Sequence, residues 1–136
     1  MTDASERVAH LHIGPIEARI EPHEVAAYAR ATAIDGEAPE PDRVPATFPA
    51  VWLWHPRAQA AVAGVGGEGK APVLTAQRFS YRQALRIGET YRFEIDRRGD
   101  AADPDAFVIE AVVQTLGGEV AAEFAASYRL FARPEP

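Results

Sequence analysis

The chain has no cysteine and a single methionine in 136 residues. Without thiols there is no disulfide, no thiolate metal site and no cysteine nucleophile, and a reducing compartment is the expected setting. No run of eighteen apolar residues occurs, and Met1-Thr2-Asp3-Ala4-Ser5-Glu6-Arg7 mixes charges instead of leading a basic segment into an apolar one. Neither a membrane span nor a signal peptide is expected, which leaves a cytoplasmic protein. Positive charge is scarce as well: 14 Lys and Arg face 20 Asp and Glu, for a net charge of −6, which argues against general nucleic-acid binding. No Gly-x-Ser-x-Gly, no His-x-x-x-His and no Ser/His/Asp pattern is present.

What is there suits one globular domain spanning residues 1–136, with 47% hydrophobic and 25% charged residues. A stretch from His10 to Ile20 reads as a strand interrupted at Gly14-Pro15, and Glu21-Pro22 then opens a helix whose Val25, Tyr28, Ala29 and Thr32 share one face. Asp35 to Pro45 is an acidic, proline-stiffened loop. A second helix is expected from Thr47 to about Ala63, kinked or split after His55 by Pro56 and stopped by Gly64. After the glycine-rich connection Gly64 to Gly69 everything alternates as strand: Tyr91, Phe93 and Ile95, then Phe107, Ile109, Ala111 and Val113, then Val120, Phe124, Tyr128 and Leu130. Gly117-Gly118 is a two-residue hairpin turn, and such short connections require antiparallel pairing. The class is α+β, with a strand, two helices and four strands closing a sheet against an apolar helix.

That apolar helix carries the most chemistry. Thr47 is a candidate N-cap and Pro49 sits in the first turn, so the N–H groups of Phe48, Ala50 and Val51 are expected to point from a positive helix end toward a carbonyl oxygen or an anion. A second feature is electrostatic: Lys70 to Arg98 holds seven basic side chains against three acidic ones, a local excess suited to phosphate. Gly64-x-Gly66-x-x-Gly69-Lys70 has dinucleotide-motif spacing, but it follows a helix and precedes a strand, the reverse of what phosphate at a helix N-terminus needs. His10 and His12 share a strand face without enough partners for a metal site, and no metal or cofactor is expected. His55 lies roughly 12 Å beyond Thr47 at a helical rise of about 1.5 Å per residue, which favours a structural role.

Three segments resemble the hot-dog fold, specifically the MaoC-like branch of (R)-specific enoyl-thioester hydratases and 3-hydroxyacyl-thioester dehydratases. They are Val25-Ala26-Ala27-Tyr28-Ala29-Arg30-Ala31-Thr32 running to Asp35, the helix entrance Val44-Pro45-Ala46-Thr47-Phe48-Pro49-Ala50, and Arg78-Phe79-Ser80-Tyr81-Arg82-Gln83-Ala84-Leu85-Arg86-Ile87-Gly88-Glu89. The resemblance implies an antiparallel sheet wrapped around a central apolar helix. It further implies a coenzyme A or acyl-carrier-protein thioester as ligand, with its oxygen held by backbone amides at the helix entrance. Thr47, Phe48, Ala50, Val51 and Trp52 are the implied substrate-binding residues, and Lys70, Arg82 and Arg86 are candidates for the phosphates. The family's acid-base pair is an aspartate followed closely by a histidine. Asp35 stands at the matching place, but Gly36-Glu37-Ala38-Pro39-Glu40 follows without a histidine.

Syn hydration needs one group for water and one for the α-proton, so the expected activity of the isolated chain is weak or absent. Three functions remain open: a thioester-binding subunit, a hydratase or dehydratase using Asp35 with a substitute such as His55, and a hot-dog thioesterase. A small sheet with an open edge is expected to pair, either with its own copy or with a second hot-dog subunit.

Overall fold

The computed structural model describes residues 8–32 and 43–134. Five strands form one sheet: β1 (Leu11–Arg19), β2 (Lys70–Tyr81), β3 (Thr90–Asp100), β4 (Asp103–Thr115) and β5 (Val120–Ala132). Their order across the sheet is β1-β3-β4-β5-β2, and every pairing is antiparallel. β1 is the far edge, where the Gly14–Pro15 peptide is cis and the register shifts between Ile13 and Ile16. β2 is the other edge and pairs with β5 alone.

Alternation decides which side of the sheet is dry. Tyr91, Phe93 and Ile95 on β3, Phe107, Ile109, Ala111 and Val113 on β4, and Ala122, Phe124 and Ala126 on β5 are all buried. In register, Phe93 sits opposite Val113, Ala111 opposite Phe124, and Ile109 opposite Ala126, so one face is apolar across three strands. Each fully buried Ile or Phe side chain contributes about 1.5–3 kcal/mol of transfer free energy.

Helix α1 (Pro22–Thr32) starts at the proline expected to open it and buries Val25. The expected central helix does break at His55, but its first half is a 3-10 helix, Phe48–Trp54, and its second is one α-helical turn, α2 (Pro56–Gln59). The reason lies at both ends of the segment. Phe48 N–H donates to Pro45 C=O (3.0 Å) and Ala50 N–H to Thr47 C=O (3.1 Å), so the ladder starts with three-residue spacing. At the far end His55 N–H closes on Trp52 C=O (3.1 Å), because Pro56 has no N–H to extend an α-helical ladder. Phe48 and Trp52 lie in the trough of the sheet, with Trp52 stacked on Phe93 at 5.1 Å and 7° and packed edge-on against Phe48 at 6.4 Å.

Candidate functional site

The entrance to the 3-10 helix is pinned from two sides by tyrosines. Tyr28, from α1, stands edge-on to Phe48 with ring centroids 5.6 Å apart, and its hydroxyl lies 2.5 Å from Thr47 Oγ1. Tyr81, the last residue of β2, donates its phenol proton to the Ala46 carbonyl. Burial, helped by the neighbouring Tyr28 phenol, pushes the Tyr81 hydroxyl up to about 12, so it stays a donor at neutral pH. The N-cap expectation for Thr47 is corrected here: with φ −96° and ψ 2°, its side chain makes no capping bond, because its hydroxyl is taken by Tyr28.

Two open cavities adjoin this point. A basic cleft of about 880 Å³ is lined by Arg43, Ala46, Tyr81, Arg82 and Arg86 together with the apolar side of the 83–87 segment. That segment is held firmly: Arg82 N–H and Gln83 N–H both bond Ala121 C=O (2.9 and 3.2 Å), Arg86 N–H bonds the Tyr91 hydroxyl (2.9 Å), and Leu85 is buried. The arginine side chains therefore rise from a fixed backbone, and Arg82 reaches Glu123 only at 3.9 Å. On the other side an apolar groove of about 520 Å³ runs between the 3-10 helix and the uncovered inner face of β2, past Tyr28, Ala50, Val51, Trp54, Leu74 and Tyr128.

The expected binding residues divide between these places. Ala50 and Val51 line the groove and Thr47 is hydrogen-bonded to Tyr28, which lines it too, whereas Phe48 and Trp52 are only 1% and 6% exposed and belong to the core. Lys70 is corrected as a partner of Arg82 and Arg86. It starts β2 while they follow its end, and it lies in a separate 600 Å³ cavity, paired with Asp105 at 2.5 Å. His55 caps α2, its Nδ1 accepting the Arg57 N–H at 3.1 Å. Asp35 lies outside the described residues. Tyr28 and Tyr81 were not legible as site residues from the sequence, because nothing local distinguishes them from core aromatics.

His10 and His12 meet carboxylates. Among the described residues no group of three or more His, Cys, Asp or Glu is arranged to hold an ion. His12 is held between Asp96 (3.0 Å) and Glu94 (3.1 Å), with His10 also on Asp96 at 3.1 Å. The bond to Asp96 raises the imidazole above its ordinary 6.5, and the same bond lowers the Asp96 carboxyl below 3.8. The imidazole's contribution to stability is therefore full below pH 6.5 and lost as pH rises through its raised folded value. The carboxylate's contribution is full above pH 3.8 and lost as pH falls through its lowered value. Comparing melting temperatures of the wild type and His12→Asn, the gap between them is expected to be wider at about pH 5.5 than at about pH 8.5. An equal gap at both would show that the cluster carries no net linkage.

No protein-family model and no curated protein sequence matches the chain. Solved structures do match in fold. The 3R-hydroxyacyl-ACP dehydratase complex HadBC of Mycobacterium tuberculosis superimposes with a TM-score of 0.66 at 16% identity, over 93% of this chain and 99% of that one. The (R)-hydratase from A. caviae involved in PHA biosynthesis gives 0.57 at 17% identity, over 89% and 93%. A hot-dog-like protein from Thermanaerovibrio acidaminovorans gives 0.61 at 11% identity, over 91% and 82%. The fold is the hot-dog fold, as the sequence resemblance implies, and the dehydratase and hydratase are hot-dog proteins of the branch that the sequence resembles.

Proposed function

We propose that this chain is a cytoplasmic acyl-thioester-binding protein of the MaoC-like hot-dog type, taking a coenzyme A or acyl-carrier-protein thioester, with little turnover of its own. One observation carries the reading: a basic cleft and an apolar groove adjoin at the Ala46–Thr47 entrance, one on each side of the two tyrosines. An acyl thioester has that polarity, with phosphates at one end, a hydrocarbon at the other and a carbonyl between. Arg82 and Arg86 would meet the phosphates, and Ala50 and Val51 the chain. No carboxylate or imidazole lines either cavity among the described residues, and the expectation of little turnover rests on the sequence, where no histidine follows Asp35 at the spacing of the acid-base pair that hydration needs. The chain is expected to work as a twofold dimer through β2, with its own copy or with a second hot-dog subunit.

Calorimetric titration with hexanoyl-coenzyme A tests the reading. Binding is expected, and the Arg82→Glu/Arg86→Glu double variant should weaken it roughly tenfold or more, since a hydrogen bond to a charged group contributes about 1.5–3 kcal/mol and the reversed charges also repel. Unchanged affinity in that variant would remove the cleft as the phosphate site. Crotonyl-coenzyme A hydration by the purified chain should be near background, and robust turnover would favour an active hydratase instead.

A further inference from the structure

Of the three backbone amides expected to hold a carbonyl oxygen at the helix entrance, two are occupied: Phe48 N–H bonds Pro45 C=O and Ala50 N–H bonds Thr47 C=O. What the groove mouth offers in their place is a pair of hydroxyls. Tyr28 Oη and Thr47 Oγ1 share one hydrogen bond at 2.5 Å, and two O–H groups have two protons. Whichever group donates within the pair, one O–H is left to point elsewhere. Neither hydroxyl has a second partner among the described residues. Tyr81, by donating to the Ala46 carbonyl, fixes the peptide that carries Thr47, and so sets where this free proton stands.

We propose that the Tyr28–Thr47 hydroxyl pair is the carbonyl-binding element of this protein, donating to the thioester oxygen in place of backbone amides, with Tyr81 as a positioning residue. The inference rests on the acyl-thioester reading above. The Tyr28 ring is held by its edge-on contact with Phe48, so the donor is set before a ligand arrives. The high value of the Tyr81 phenol adds that its own bond to Ala46 persists through neutral pH.

The test compares two ligands that differ only at the carbonyl. Hexanoyl-coenzyme A has the thioester oxygen, and hexyl-coenzyme A, the thioether, does not. For the wild type, the thioester is expected to bind roughly tenfold more tightly, the size of one net hydrogen bond. The Tyr28→Phe/Thr47→Val double variant keeps both side-chain shapes and should bring that ratio to near one, a change a merely structural role would not produce. Each single variant retains one hydroxyl and should keep part of the preference. Equal binding of the two ligands by the wild type, or a tenfold ratio surviving in the double variant, overturns this assignment alone. If neither ligand binds the wild type, the acyl-thioester reading falls and this assignment with it.

Discussion

Trp52→Ala is expected to lower the melting temperature by roughly 10–20 °C. Trp52 is 6% exposed and stacked flat on Phe93, with Tyr91 at 6.4 Å and Phe48 at 6.4 Å around it. Truncating it leaves a cavity in the middle of the trough that fixed strands on the sheet side cannot collapse to fill. Large aromatic-to-alanine changes in such settings cost about 3–5 kcal/mol, a sizeable part of the stability of a domain of this size. Trp54, two residues on, is the control. It is 76% exposed, and Trp54→Ala should change stability by no more than about 0.5 kcal/mol. Thermal denaturation of both variants checks the pair, and similar losses in the two would mean that the 3-10 helix is not seated as described.

The second large effect is expected at the open edge. Light scattering at micromolar concentration should give twice the chain mass, and Val73→Glu should convert the dimer to a monomer, raising the dissociation constant roughly 100-fold through like-charge juxtaposition across a twofold axis. The two edges of the sheet differ in how they are guarded. Both strands carry a register shift, Ile13/Ile16 in β1 and Leu74/Ala76 in β2, but β1 also has Pro15 in its middle, which hinders another strand from adding to it. β2 is twelve residues long, with its proline, Pro72, near the start, and Val73 and Leu74 are 46% and 44% exposed. A strand so long and apolar at an edge is an association surface unless paired. A monomeric wild type would rule out self-pairing and leave β2 to a second subunit, and a dimer indifferent to Val73→Glu would move the interface elsewhere.

Much of the frame was legible in the residues themselves. Alternation placed Tyr91, Phe93 and Ile95 on one face and they are buried together, and Pro56 does interrupt the central helix. Gly117-Gly118 lies in the turn from β4 to β5, but that turn spans residues 116–119 and is not the expected two-residue one, with Gly118 N–H on Thr115 C=O and Thr115 N–H on Glu119 C=O. The site was less legible, because its bonds join residues far apart in sequence. Thr47 looks like a cap when only its neighbours are considered, yet Tyr28, nineteen positions earlier, takes its hydroxyl. Tyr81 is thirty-five positions from the carbonyl it holds. The grouping of Lys70 with Arg82 and Arg86 failed for a reason that strand geometry supplies: at roughly 3.3 Å per residue, the twelve residues of β2 separate them by about 40 Å.

The switch from α to 3-10 geometry changes how the central segment lies in its trough. With about 3.0 residues per turn, every third side chain points the same way, so Phe48, Val51 and Trp54 form a single row along the axis. Along that row exposure rises from 1% at Phe48, through half-buried Val51, to 76% at Trp54. The adjacent positions stay buried to the end of the segment, with Trp52 6% and Leu53 8% exposed, so it is this one row that passes from core to solvent. The groove between this segment and β2 is therefore bordered both by the Tyr28 ring packed on Phe48 and by the exposed indole of Trp54, so a molecule lying in it would meet one wall fixed in the core and one open to solvent.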